Sequence, residues 1–190
     1  MAVPDFQTIM LPLLECFGDG QEHSTQELLD NLAKRFSLTE EELNALLPSG
    51  KQKIFYNRVG WARTYLTKAG LLEMSRRSYY RITDRGRQVL ARKPPRIDMK
   101  FLEQFPEYIE FRERESGRRK PSEITSEVSE KTPEEILEDA YESIRDGLAQ
   151  ELLGLVKQSS PSFFSVLSSN FLSRWDTVVL AGMRQEQLAT

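Results

Sequence analysis

Residues 51–95 read KQKIFYNRVGWARTYLTKAGLLEMSRRSYYRITDRGRQVLARKPP, and this stretch decides the fold. Phe55, Val59, Ala62, Leu66 and Ala69 recur at helical spacing, so a helix from about Phe55 to Ala69 is expected to bury that face. Gly70 suits the residue that ends it. Asn57, Gly60, Thr64, Thr67 and Lys68 fall on the opposite face, with Trp61 and Arg63 on its flanks. Leu71–Met74 and Tyr79–Ile82 then read as two short strands joined by Ser75-Arg76-Arg77-Ser78, a hairpin with a basic tip. Tyr79 and Tyr80 are expected on opposite faces, one in the core and one exposed. Thr83 caps a closing helix that stops at Pro94-Pro95.

The upstream sequence supplies the rest of the unit. Pro4 to Phe17 has the apolar pattern of a first helix, stopped by the turn Gly18-Asp19-Gly20. Glu22-His23 suits a short strand. Ser24 with Glu27, and Thr39 with Glu42, have the spacing of capping boxes and start two further helices. The order helix, strand, helix, helix, hairpin is that of a winged helix-turn-helix, with the Phe55–Ala69 helix set to enter a major groove and the hairpin as its wing. The fold class expected for the chain is therefore mainly α with a small β-hairpin wing, over residues 3–95.

Charge points to the partner. The formal net charge of the chain is −3, yet residues 51–95 carry twelve Lys and Arg side chains against only Glu73 and Asp84. Residues 1–50 show the reverse, with Lys34 and Arg35 against nine acids. A local basic block inside an acidic chain is the electrostatic footprint of a polyanion site, here double-stranded DNA. Lys68, Arg76 and Arg77 are expected on phosphates. Asn57 and Thr64, short and polar, are expected near base edges. Trp61, Arg63, Tyr79 and Arg81 complete the expected DNA-binding set.

Other chemistries are thinly represented. His23 is the single histidine and Cys16 the single cysteine. A multi-His metal site, a Cys-cluster zinc site and an intrachain disulfide are thereby excluded. Cys16 is expected to be a structural thiol and His23 a turn residue. There is no GxxxxGK[ST] phosphate loop, no apolar run near the roughly 20 residues of a membrane span, and no secretory signal pattern at the N-terminus. The setting expected is the cytoplasm, with no membrane partner.

Beyond Pro95 the character changes. Residues 96–115 are expected to form short helices packed back on the first domain. Residues 116–131, charged and Ser-rich, are expected to be a flexible linker. Thr132-Pro133-Glu134-Glu135 starts a helix with cap, Pro at the first position and Glu at the third. Its apolar seam (Ile136, Ala140, Ile144, Leu148, Leu152 and Leu155) suggests a homo-oligomer contact, while its many acids are expected to be solvated. Pro161 opens one more helix.

The run LPSGKQKIFYNRVGWARTYLTKAGLLE, with YRITDRGRQVL, IDMKFLEQFPEYIEFRER and PDFQTIMLPLLECFGDGQEH, closely resembles the N-terminal domain of Mrr restriction proteins. TPEEILEDAYESIRDGLAQELLGLVKQSSPSFF looks like the start of that family's nuclease domain. The resemblance implies a Type IV-like restriction protein, whose winged helix recognises DNA, usually methylated or otherwise modified. A PD-(D/E)xK-type domain then cuts it with a divalent metal such as magnesium. Residues 132–164 would be the helical beginning of that second domain.

After Phe164 the sequence departs from the family pattern. Codons chosen for SVLSSNFLSRWDT, shifted by one restored G, can encode a family-like ERLVVELLVAMGY. Residues 165–190 are therefore expected to be an out-of-frame tail. They hold only Asp176 and Glu186 as acids and no Lys, so no catalytic site or cofactor is expected in this chain. The alternative reading is a winged-helix transcriptional regulator with a C-terminal helical dimerisation segment.

Overall fold

The computed structural model describes residues 3–116, 130–163, 165, 166 and 168–170. Most of the expected linker and of the expected out-of-frame tail lies outside the described residues. The chain divides into two units, Met1–Asp139 and Ala140–Thr190.

The first unit contains α1 (Phe6–Glu15), β1 (His23–Ser24), α2 (Thr25–Arg35), α3 (Glu40–Asn44), α4 (Ile54–Lys68), β2 (Leu72–Arg76) and β3 (Tyr79–Ile82). After these come α5 (Asp84–Ala91), α6 (Met99–Leu102), α7 (Pro106–Ser116) and the first turns of α8 (Pro133–Gln158). The three strands form one sheet in the order β1-β3-β2, antiparallel throughout. This mainly helical arrangement with a small three-stranded sheet is compatible with a winged helix-turn-helix.

Local sequence sets the helix starts. The Asp5 carboxylate accepts from the N–H groups of Gln7 and Thr8, capping α1. Both expected capping boxes are present, at Ser24 with Glu27 and at Thr39 with Glu42. Each satisfies backbone donors that no intrahelical carbonyl can reach. The Ser24 and Thr39 N–H bonds hold the Glu27 and Glu42 carboxyls below their usual range. At the other end of α4, Gly70 takes φ +69°, a left-handed turn that favours glycine.

The core lies chiefly between α1 and α4. Phe6, Ile9, Met10, Leu13 and Leu14 of α1 meet Phe55, Val59, Ala62 and Leu66 of α4, all buried. Burying each such large side chain is worth about 1.5–3 kcal/mol before entropy is counted. Gly86 lets α5 cross closely over the hairpin base: a Cβ there would lie 2.3 Å from the Leu71 carbonyl oxygen and 2.6 Å from Ile82. Arg85, beside it, makes a paired salt bridge to Glu107 of α7 at 2.8 Å and also donates to the Ala69 carbonyl. With Ile97, Leu102, Phe105 and Tyr108 in the core, α6 and α7 pack back on the domain as their sequence suggests.

The second unit begins within α8. From Ala140 onward its large apolar side chains are exposed, among them Tyr141, Ile144, Leu148 and Leu152. Residues 161–163 are helical. The described residues from Thr132 onward contain no strand, so the expected assignment of 132–164 to a nuclease domain has no sheet there with which to be compared.

Candidate nucleic-acid interface

On α4 the arc turned away from the core carries Lys53, Tyr56, Gly60, Arg63, Thr64 and Thr67, all exposed or half-buried. Gly60 sits at its centre, and a Cβ there would meet nothing within 4 Å. The helix therefore presents bare backbone at mid-length, a place where a flat partner can approach closely. Thr64 and Thr67 donate to the carbonyls one turn back, at 2.9 Å each, which turns their oxygen lone pairs outward as acceptors. Lys53 lies over the Tyr56 ring and donates to Asn44.

Arg63 ties this arc to the hairpin. Its guanidinium donates to the Thr25 hydroxyl at 2.9 Å and stacks over Tyr80 of β3, 4.6 Å from the ring centroid. On the same hairpin Arg76 stacks over Tyr79 at 3.7 Å and lies 3.6 Å from the exposed Glu22 carboxylate. Both tyrosines are thus half-buried under guanidinium groups. Tyr80 packs against the core, as expected of one of the pair, whereas Tyr79 is half-buried instead of exposed, because a stacked arginine covers its ring as well as a neighbouring strand does. Arg76 ends β2 instead of lying in the tip, which narrows to Arg77 and Ser78, with Ser78 at φ 68°. Arg77 is exposed and has no partner among the described residues. Two stacked arginines and one free one leave the wing a preformed cationic edge.

Not every basic residue of the block is available. Arg58 donates to the Val3 and Pro4 carbonyls and to Glu135. Arg81 pairs with Glu73, Arg85 with Glu107, and Arg87 with Asp84. Lys51, Lys53, Arg63, Lys68, Arg77, Arg92 and Lys93 have no acidic partner among the described residues, Lys68 lying over the Phe111 ring, and Arg76 has only the exposed Glu22 at 3.6 Å.

Two further expected site residues are engaged within the chain. Asn57 is only 3% exposed, corrected from the open face to a buried position where its side chain accepts from the Thr132 hydroxyl and donates to Gln52. Trp61 is half-buried, and its indole N–H donates to Glu134. Glu135 is likewise buried against Arg58, so the expectation of solvated acids along α8 fails at its first turn. Tyr56 and Lys53 were not among the expected residues. The signal for them was present in the same wheel, since both lie within 40° of Gly60 at 100° per residue.

The remaining reactive groups are structural. Burial raises the pKa of Cys16, whose Sγ donates to the Pro12 carbonyl. His23 pairs with Asp19 across the turn, and the Asp19 carboxyl is held low mainly by the Gln21 N–H. No group of three or more His, Cys, Asp or Glu residues that could hold a metal occurs among the described residues. They offer the divalent metal implied by the resemblance no ligand set. No helix among them is long and apolar enough to cross a membrane.

The family model of the Mrr N-terminal domain matches residues 6–92, the span from α1 through α5. The chain is also 25% identical over 187 residues to the Type IV methyl-directed restriction enzyme EcoKMrr of Escherichia coli strain K12. That match covers 92% of this chain and 60% of the relative, so the chain spans about 60% of the length of the curated protein it matches. No solved structure matches.

Proposed function

Since the chain belongs to the Mrr family, we propose that its first unit is a winged-helix domain that binds double-stranded DNA. In this reading α4 enters the major groove. Gly60 brings the helix backbone close to the base edges, and Thr64 and Thr67 offer hydroxyls to them. Tyr56 contributes a flat apolar face, suited to the methyl of thymine or of a methylated base. The wing and the α4 termini supply charge: Arg76, Arg77, Lys53 and Lys68 meet phosphates. Arg63 holds helix and wing in one register.

The observation that carries this reading is the Arg63–Tyr80 stack, which joins the outward arc of α4 to the cationic hairpin. Methylated DNA is the proposed preference, by analogy with the methyl-directed relative. The step assigned to the described residues is recognition of the duplex, within a restriction system. Residues from Thr132 onward are proposed to begin the second domain of that system.

The test is a fluorescence-anisotropy titration of the full chain with methylated and unmethylated duplexes at several salt concentrations. Removing one cation that neutralises a phosphate should flatten the slope of log affinity against log salt by about 0.9. The double variant Arg76→Ala/Arg77→Ala is expected to weaken binding to every duplex and lower the slope by about two. An unchanged slope would remove the wing from the interface.

A further inference from the structure

Four polar side chains join residues 132–138 to α4 and the loop before it. The Thr132 hydroxyl donates to Asn57 Oδ1 at 2.6 Å. Glu135 Oε1 accepts from Arg58 twice, at 2.9 and 2.6 Å. Glu134 accepts from the Trp61 indole N–H. Glu138 accepts from the Ser49 N–H at 2.9 Å and from its hydroxyl at 2.5 Å. Thr132 and Glu135 are both buried. Glu135 also closes the capping box of α8, accepting from the Thr132 N–H at 2.7 Å, so one carboxylate starts the helix and anchors it.

Chemically, the groups engaged by the carboxylates are a guanidinium, an indole N–H, a backbone N–H and a hydroxyl. They are donors of the kind that phosphate oxygens use. Three carboxylates occupy them, from positions 134, 135 and 138, neighbours on one face of α8. Glu134, with Thr132, lies on the Asn57–Trp61 flank of α4, next to the arc that carries Gly60 and Thr64, while Glu135 reaches Arg58 and Glu138 reaches Ser49. A duplex seated on that arc would bring its phosphates toward the same carboxylates.

We propose that the first turn of α8 is an acidic latch that opposes DNA binding by α4. The proposal rests on the DNA-binding reading above. Latch closure and duplex binding are linked, so whatever loosens the latch raises affinity, and duplex loosens the latch by the same factor.

Three variants of the full chain test it. Glu134→Gln/Glu138→Gln weakens the latch while leaving the buried Glu135–Arg58 pair intact. Thr132→Ala weakens it without changing charge. Glu142→Gln/Asp146→Asn makes the same charge change further along the helix. The first two are expected to bind duplex about five- to tenfold more tightly than the parent chain, a range typical of coupled sites. The third should bind as the parent does. In a Trp175→Phe background the Trp61 indole N–H resonance reports the latch directly, and duplex should move it toward its position in Glu134→Gln/Glu138→Gln. Equal gains for the near and far charge pairs, or unchanged affinity in Thr132→Ala with an indole signal that ignores duplex, would overturn the latch. If no form of the chain binds duplex, the DNA-binding reading itself fails, and the latch with it.

Discussion

Helices α4 and α8 are written in the same sequence code and end in opposite situations. Both repeat apolar residues every three or four positions. Along α4, Phe55, Val59, Ala62, Tyr65 and Leu66 are buried. Along α8, Leu137, Tyr141, Ile144, Leu148, Leu152 and Leu155 are all more than half exposed. Periodicity therefore specifies a face and not what covers it. Helix α4 is covered because α1 and α7 lie within the same unit, whereas the seam of α8 has no such cover among the described residues. Polarity inverts in parallel: α4 keeps an outward arc suited to a partner, and α8 spends its first acidic turn on α4.

The largest contrast between the two helices should appear in stability. Leu66→Ala removes a fully buried side chain and is expected to cost about 2–5 kcal/mol. Ile144→Ala, on the exposed seam, is expected to stay within about 0.5 kcal/mol. Urea unfolding of the two variants measures both, and similar losses would mean that the seam of α8 is covered in solution.

Glycines sharpen the contrast. Gly86→Ala drives a methyl into the Leu71 carbonyl and Ile82, and overpacking of this kind costs about 1–3 kcal/mol. Gly147→Ala on α8 meets nothing within 4 Å and is expected to gain about 0.5–1 kcal/mol of helix stability. Circular dichroism melts would separate a gain at position 147 from a loss at 86. A loss at both would place a neighbour against α8.

The smallest effect concerns how α7 is held over α4. The Arg85 guanidinium holds the Glu107 carboxyl below its usual range, and the same bond raises the pKa of Arg85. A carboxyl whose pKa is lowered by folding contributes stability above its unfolded value and loses it as pH falls through the lowered one. The stability gap between the parent chain and Glu107→Gln should accordingly be constant near neutrality and close below the ordinary carboxylate range. A gap that is flat down through that range would show that the pair contributes nothing through charge.

What was legible in the sequence was local. The boxes at Ser24, Thr39 and Thr132 and the Gly70 turn all depend on residues within a few positions of one another. What was not legible depended on distant pairs. Asn57 reads as an outward polar residue, and it is buried by Thr132, 75 positions later. Arg58 counts toward a basic block until Glu135, 77 positions on, neutralises it. The tyrosines of β3 obey strand alternation, yet arginines from α4 and β2 cover both rings. Of the nine expected interface residues, Arg63, Lys68 and Arg76 are stacked cations and Arg77 is an exposed one.

In the proposed mode of binding the outward arc of α4 faces duplex DNA while the apolar seam of α8 does not. A photocrosslinking amino acid placed at Gly60, where a side chain has open space, and in a second preparation at Ile144, tests it directly. Irradiation with a methylated duplex is expected to join DNA to the chain from position 60, in a manner abolished by high salt, and to give none from position 144. Crosslinks from 144 alone, or equal yields from both positions, would contradict the assignment of α4 as the reading helix.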